Sequence, residues 1–420
     1  MKDELDPENL RDDSGRLQPA WAATLASFVG LTLGPSTILV FCFGSFVSPL
    51  EKEFGWGVGA ISLGGTLIGV MVVVTALLAG WMIDRFGARV LVLTSIPLFG
   101  AGVGALAFLP ANIAMFYAGL ALVSLLGIGI WPVSYNKLAA GWFDRRLGLS
   151  LGIVNAGVGV GAALLPMLVA YVIAAHGWRA AYAVLGVLAI AIPWPVAALL
   201  LRERRRYPSL PSLVETRLEG LTLGQATGTR VFWLSAAGFA ILGAASGAIV
   251  FHQVRILVDA GMAVGQAGAM QSVLGLSLIV GRVGTGWLLD HVKVPVLMAV
   301  LCIVAAAALA LYALGLPYNT AAACAILAGL LIGAEYDVLA FSVARYFGRQ
   351  SFGAIYAVLL ASMQISGAAA VAAVGYMRSS SGGYSSSLAA LAASLMLASF
   401  LFARLGPYRS MVTGARLAGR

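Results

Sequence analysis

The chain has 420 residues, 60% of them hydrophobic and only 10% charged, with a mean hydropathy of +0.94. A soluble globular protein carries about 25% charged residues, so composition excludes that class and indicates an integral membrane protein. The net charge of +9 does not point to nucleic acid, because the basic residues sort by alternate loops rather than into a patch.

Residues 1–20 are polar and acidic, with no basic region leading into an apolar core, and are expected to be a cytoplasmic tail rather than a signal peptide. The string KDEL near the start lies at the wrong end of the chain for a retention signal. Apolar runs of helix-spanning length then follow at about 21–49, 57–81, 89–109, 112–138, 148–174 and 180–201, each long enough to cross hydrocarbon. Residues 202–230 are charged and carry two prolines, the composition of a cytoplasmic linker. Six further runs follow at 231–257, 265–289, 294–316, 319–344, 352–376 and 386–404, and 405–420 form a polar tail. Barrel strands would alternate over ten-residue segments, which are absent. The expectation is an all-α membrane protein with twelve transmembrane helices in two pseudo-symmetric six-helix bundles, 21–201 and 231–404.

Arg85, Arg89, Arg145, Arg146, Arg202, Arg204, Arg205, Arg206, Lys293, Arg345, Arg349, Arg404 and Arg409 fall in alternate loops; the intervening ones hold Lys52, Arg179, Arg255 and Arg378. The positive-inside rule places the first set and both termini in the cytoplasm, and a plasma (inner) membrane is expected. Cys42, Cys302 and Cys324 lie in apolar runs without metal-ligand or disulfide spacing, as small core residues do. No phosphate loop, zinc spacing or nucleophile elbow appears, so no cofactor, metal or enzymatic activity is expected.

The two halves repeat. Gly80-Trp81-Met82-Ile83-Asp84 closes the second run and Gly286-Trp287-Leu288-Leu289-Asp290 the eighth; WFDRRLG from Trp142 has a fainter echo in YFGRQSFG from Tyr346. Matching halves joined by a cytoplasmic linker imply a pseudo-twofold axis along the membrane normal, a site near mid-membrane and alternating access by rocking. GWMIDRFGARV resembles the loop signature G-x-x-x-D-R-x-G-x-R of the major facilitator superfamily at Gly80, Asp84, Arg85, Gly87 and Arg89; the second copy keeps Gly286 and Asp290 but has His291 and Lys293 in place of the basic pattern. The resemblance implies the major facilitator fold and a gating role for these loops, with Lys137 and Arg145, at the end of the fourth run, as anchors or gate partners. SPLEKEFGW, WFDRRLGLSLGIVNAGVGVG, HQVRILVDAGM, GRVGTGWLLD and GAEYDVLAFSVARYFG are together similar to the monocarboxylate-porter and oxalate/formate-antiporter branch, which moves small organic acids, often with a proton.

Arg282 lies inside the eighth run. A charge at helix centre costs roughly 2.5–3.5 kcal/mol, so it is expected to face a cavity or a partner, and the planar guanidinium suits a carboxylate. The resemblance makes Arg282 the substrate ligand; the alternative is an ion pair with Glu335 or Asp337. The branch's acid one turn earlier is replaced by Leu278, and the eleventh run, AIYAVLLASMQIS, lacks the antiporter-type lysine. One buried cation favours a monocarboxylate over a dicarboxylate. Glu335 and Asp337 sit inside the tenth run, where an ionised carboxylate is costly, which suits a proton carrier. Two residues apart, they point in different directions; Glu335, nearer the middle, is preferred for the proton and Asp337 for a structural role. His252 is either a titratable neighbour of the substrate or an interfacial group bonding a carbonyl, and the sequence leaves both open. Trp131, Tyr135, Asn136, Asn155, Tyr336 and Gln364 are candidates for the cavity wall. Gly152, Gly157, Gly159 and Gly161 read as a helix-packing face.

The expected function is a monomeric secondary transporter of a small organic acid, most simply a proton-coupled monocarboxylate symporter, with Arg282 on the carboxylate and Glu335 carrying the proton. Alternatives are an anion exchanger of the oxalate/formate type or an exporter of another small amphiphile. A transporter-like sensor or membrane enzyme would need a signalling domain or catalytic constellation, and the sequence displays neither.

Overall fold

The structure is a computed structural model that describes residues 18–143, 145–202, 220–314, 318–381 and 383–408. The expected N-terminal tail up to Leu17, most of the linker with Arg204, Arg205 and Arg206, and the C-terminal tail from Arg409 onward lie outside the described residues. The remainder is helical and divides into two compact units, Met1–Arg206 and Tyr207–Arg420.

In the first unit the helices are α1 (Pro19–Thr32), α2 (Phe43–Phe54), α3 (Val58–Phe86), α4 (Ala88–Ala105), α5 (Ile113–Leu126), α6 (Pro132–Trp142), α7 (Leu147–Ala191) and α8 (Pro193–Leu200). In the second they are α9 (Leu223–Thr227), α10 (Arg230–Asp259), α11 (Val264–His291), α12 (Val294–Ala313), α13 (Tyr318–Ser342), α14 (Phe352–Ser381) and α15 (Ser385–Ala403).

Local chemistry sets the ends. Asn112 accepts hydrogen bonds from the N–H groups of Ala114 and Met115 at the start of α5, and Thr222 and Gln225 form a reciprocal capping box on α9, satisfying donors that a helix leaves unpaired. Gly55, with φ 67°, closes α2 in the left-handed region, where glycine alone is unstrained.

Ten stretches among the described residues are long and apolar enough to cross a membrane, against twelve expected. Two features account for the difference. Leu147–Leu200 counts as one stretch of 54 residues, about 80 Å of helix at 1.5 Å per residue, yet its backbone turns at Gly177 (φ 82°, ψ 169°). Ile113–Leu126 is apolar but shorter than a full crossing, because its run is interrupted before α6. The first run is likewise interrupted: α1 stops at Thr32 and continues through a π-turn, Ser36–Phe41, before α2. Pro35 and Pro132 stand at these breaks, where a missing N–H and a fixed φ interrupt the ladder.

Each unit packs by the same scheme. In the first, α1 lies on the leading part of α7, α3 on α5, and α4 on the trailing part of α7 and α8; in the second, α10 lies on α14, α11 on α13, and α12 on α15. Glycines permit the closest crossings. A Cβ on Gly157 or Gly161 would strike the carbonyls of Phe28 or Thr32, and one on Gly243 would strike that of Met363, so Gly157 and Gly161 of the expected packing face are at backbone-to-backbone contacts. Ser366 Oγ reinforces the α10–α14 crossing by donating to the Ala240 carbonyl at 2.6 Å.

The faint second repeat also has a physical counterpart. Trp142 Nε1 donates to the Arg202 carbonyl at 2.7 Å, just beyond α8, and Tyr346 Oη donates to the Gly406 carbonyl at 3.0 Å, just beyond α15. The next residues, Phe143 and Phe347, pack edge-on against Trp21 and Phe232.

Candidate functional site

The second unit gathers the charged residues that are buried. Arg282 on α11 and Glu335 and Asp337 on α13 are 5%, 4% and 0% exposed, and no other charged residue among those described is buried to that degree. Gly281 and Gly333 bring the two helices together at this level: a Cβ on Gly281 would lie 2.7 Å from the Leu330 carbonyl, and one on Gly333 would strike the Leu278 carbonyl and come within 3.0 Å of the Arg282 amide nitrogen. The guanidinium carbon of Arg282 then lies 5.4 Å from the centroid of the Tyr336 ring, within cation–π range. Arg282 Nε is buried and has no hydrogen-bond acceptor among the described residues. No ion pair joins Arg282 to Glu335 among the described residues. Glu335 instead accepts a hydrogen bond from Ser246 Oγ on α10 at 2.7 Å.

Tyr336 donates to Gln364 Oε1 on α14 at 3.3 Å, so three of the expected residues, Arg282, Tyr336 and Gln364, form one connected group, while Glu335 is held by Ser246. His252, two turns beyond Ser246 on α10, is held elsewhere. Its Nε2 lies 3.0 Å from the Val371 carbonyl and its Nδ1 lies 3.2 Å from Tyr384 Oη. A carbonyl only accepts, so Nε2 carries the hydrogen of that bond.

In the first unit, Trp131, Tyr135 and Asn155 are all buried. Asn155 Nδ2 donates to Asn136 Oδ1 and to the Leu151 carbonyl, both at 3.0 Å. Tyr135 Oη lies against Gly30, whose missing side chain leaves room for it. Trp131 Nε1 and Tyr135 Oη have no hydrogen-bond partner among the described residues.

The loop signature sits at the junction of α3 and α4. Asp84 accepts from Lys137 Nζ on α6 at 2.7 Å, and Lys137 also donates to the Ile83 carbonyl at 3.1 Å. Gly80 is buried in α3. Gly87 makes the turn with φ 86° and ψ 148°, a region closed to side chains. Arg89 donates through Nε to the Leu201 carbonyl at 2.7 Å, covering the carbonyl end of α8. Arg85 lies over Trp81 and Phe86, its guanidinium carbon 5.4 and 5.6 Å from the ring centroids. Arg145 follows α6 in the chain. In the second copy Gly286 is buried and Asp290 half-buried near the end of α11, but Lys293 replaces the turn glycine with φ −66° and ψ 138°, an ordinary extended conformation. That is why the second loop needs no glycine there.

Sequence reasoning missed Ser246, the donor to Glu335, and Ser134, whose Oγ is buried without a partner among the described residues. A serine inside an apolar run carries no periodic signal that separates it from packing serines. Gln253 also has both amide atoms buried and unpartnered among the described residues.

A family model described as Major Facilitator Superfamily matches residues 29–371. A riboflavin transporter, RibJ, of Trypanosoma brucei brucei is 31% identical over 149 residues, 36% of this chain and 27% of that protein. Monocarboxylate transporter 6 of Homo sapiens is 29% identical over 200 residues, 46% of this chain and 39% of that protein. The matched stretches therefore span only about a quarter to two fifths of these relatives' length. Among solved structures, a bacterial homologue of the iron transporter ferroportin in its outward-facing state superposes with a TM-score of 0.72 at 14% identity, covering 93% of this chain and 99% of that one.

Proposed function

The chain belongs to the Major Facilitator Superfamily, a family of membrane transporters, and from that premise we propose that it is a secondary transporter of a small organic anion, a monocarboxylate moved with a proton by alternating access. The observation that carries this reading is the state of Arg282. It is a buried guanidinium with an unpartnered Nε, lying over the Tyr336 ring and without an ion pair to Glu335. A charge desolvated in this way recovers its cost when a carboxylate binds across the guanidinium fork. The partial similarity to a monocarboxylate transporter supports the same class.

Glu335 is the proton carrier in this proposal. Ser246 holds it beside Arg282, so protonation of one group and anion binding at the other are electrostatically linked. The Asp84–Lys137 pair and the Gly87 turn, with Arg85, Arg89, Arg145, Gly286 and Asp290, make up the gating elements. The distribution of arginines supports cytoplasmic termini in a plasma (inner) membrane, and the chain is taken to act as a monomer.

The test is binding of short-chain monocarboxylates to purified protein. Arg282→Lys keeps the charge and loses the fork; affinity is expected to fall roughly tenfold to hundredfold, the worth of a charge-assisted bond. Unchanged affinity would remove Arg282 from the carboxylate. The riboflavin transporter among the relatives favours a second reading, carriage of a larger amphiphile. Tight riboflavin binding that survives Arg282→Gln would favour it over the acid.

A further inference from the structure

One buried titratable side chain of the second unit takes no part in the carboxylate site. His252 on α10 is 8% exposed and reaches two other helices: its Nε2 donates to the Val371 carbonyl on α14 at 3.0 Å, and its Nδ1 lies 3.2 Å from Oη of Tyr384, the residue before α15. Tyr384 carries the connection onward. The guanidinium carbon of Arg378 lies 5.4 Å from the centroid of its ring, and Arg378 donates through Nε to Asp259 Oδ2 at 2.8 Å. Asp259 Oδ1 also takes Arg255 Nε at 2.9 Å. One connected set of side chains thus ties the ends of α10 and α14 to the start of α15. The sorting of arginines assigns these ends to the outer face.

The two charge states of the imidazole fit this arrangement unequally. Nε2 keeps its hydrogen in both. With the ring neutral, Nδ1 accepts the Tyr384 hydroxyl proton; with the ring charged, Nδ1 is a donor and the hydroxyl must turn to accept. The hydroxyl's own proton then has no acceptor, because Tyr384 is 6% exposed and its Oη makes no other hydrogen bond among the described residues. A buried donor deprived of its acceptor is costly. Charge acts in the same direction. The groups facing His252 are Arg255 and Asp259 on its own helix, Arg378 on α14 and Tyr384 at the start of α15. On α11 and α13, which also pack on α10, the buried charges gather around the Ser246–Glu335 bond, six residues or about 9 Å along α10 from His252. The near set therefore holds two guanidiniums against one carboxylate that is already bonded to both. An imidazolium adds a third positive charge there and meets no carboxylate of its own.

We propose that His252, Tyr384, Arg378 and Asp259 form an acid-released clasp on the outer ends of α10, α14 and α15, in which His252 binds a proton that is sensed and not transported. The clasp is closed while the imidazole is neutral and is lost as pH falls through the range in which histidine charges. Acid on the outer side then loosens that end of the second unit whether or not Glu335 carries a proton, which gives pH a second point of action on the molecule. None of the bonds in the clasp involves Arg282 or Glu335, so it stands apart from the carboxylate reading above.

The experiment is hydrogen exchange on the purified full chain without any organic acid, at about pH 8 and about pH 5.5, which bracket the charging of histidine, each rate corrected for intrinsic exchange at that pH. Wild type is expected to lose protection about threefold to tenfold on acidification, the worth of one hydrogen bond, in the stretches His252–Asp259 and Ser385–Leu388. The capped start of α5 at Ala114 and Met115, far from any histidine in its own hydrogen bonds, serves as the reference that stays constant. His252→Gln is neutral at both pH values and its amide can still donate to the Val371 carbonyl; its protection is expected to be the same at both. Tyr384→Phe keeps the ring beneath Arg378 but removes the hydroxyl that must turn; it should show less protection than wild type at pH 8 and a smaller step. A wild type without the step, or a step of full size in either variant, overturns the clasp. Arg282→Lys is the separate arm and should keep the full step even where it loses carboxylate binding. A step that disappears with Arg282 would assign the effect to the buried charges beside Ser246 and likewise overturn the clasp.

Discussion

Arg282 and Glu335 lie in the same buried region yet keep separate partners: a ring for one, a serine hydroxyl for the other. A permanently locked ion pair would leave neither group free to answer a ligand; separate, weaker partners leave both available. Glu335→Gln retains the size and the acceptor for Ser246 but loses the exchangeable proton. It should abolish uptake driven by a pH gradient while substrate exchange at equal pH persists; gradient-driven uptake that survives would move the proton elsewhere. At the opposite extreme of exposure, Glu53 accepts hydrogen bonds from Arg179 and Trp178. The Arg179 bond first, and the Trp178 bond second, hold its carboxyl below the ordinary value of 4.5. A lowered folded-state value means the stabilisation is fully present above the unfolded value and is lost as pH falls through the folded one. Arg179→Gln should therefore lower the melting temperature at neutral pH by a margin that shrinks as pH falls below the ordinary carboxylate range; a margin that does not change with pH would assign the effect to the packing of Arg179 over the Trp178 ring.

At the scale of elements, glycine decides where helices meet. Gly333 lets α13 pass within backbone contact of α11 beside Arg282, whereas Gly275 on α11 faces open space. Gly333→Ala forces the two helices apart or strains them, an overpacking cost of about 1–3 kcal/mol, and should lower the melting temperature and weaken substrate binding together. Gly275→Ala, with no such neighbour, should leave both unchanged or slightly improved; equal effects at the two positions would remove the crossing as the cause. The turn at Gly87 shows the same logic in the backbone. Its φ of 86° makes Gly87→Ala costly by roughly 1 kcal/mol or more, while the second loop, extended at Lys293, accepts any residue.

Across the whole chain, the sorting of basic residues predicts sidedness. Lys52 and Arg85 are both exposed, and the native cysteines Cys42, Cys302 and Cys324 are buried, so a cysteine introduced at either position is the reactive thiol. An impermeant maleimide added to intact cells should label Lys52→Cys and spare Arg85→Cys until the membrane is opened. The reverse pattern would invert the topology and place the Asp84–Lys137 pair on the outer face.

Membrane class, helical architecture and family were all readable along the chain, because hydropathy, span length and a loop signature are local properties that survive without knowing what touches what. The unusual cost of Arg282, Glu335 and Asp337 in apolar runs was readable for the same reason. The helix breaks were signalled by Gly34-Pro35 and Trp131-Pro132, but proline within a span is also tolerated in continuous helices, so the signal alone did not divide the first and fourth runs. What only tertiary structure decided is partnership. Ser246 meets Glu335 across 89 residues of chain, Lys137 meets Asp84 across 53, and His252 joins Val371 and Tyr384 across 119 and 132. No periodicity reaches such separations: the pattern of a helix says which face is apolar, and packing alone determines which neighbour that face receives.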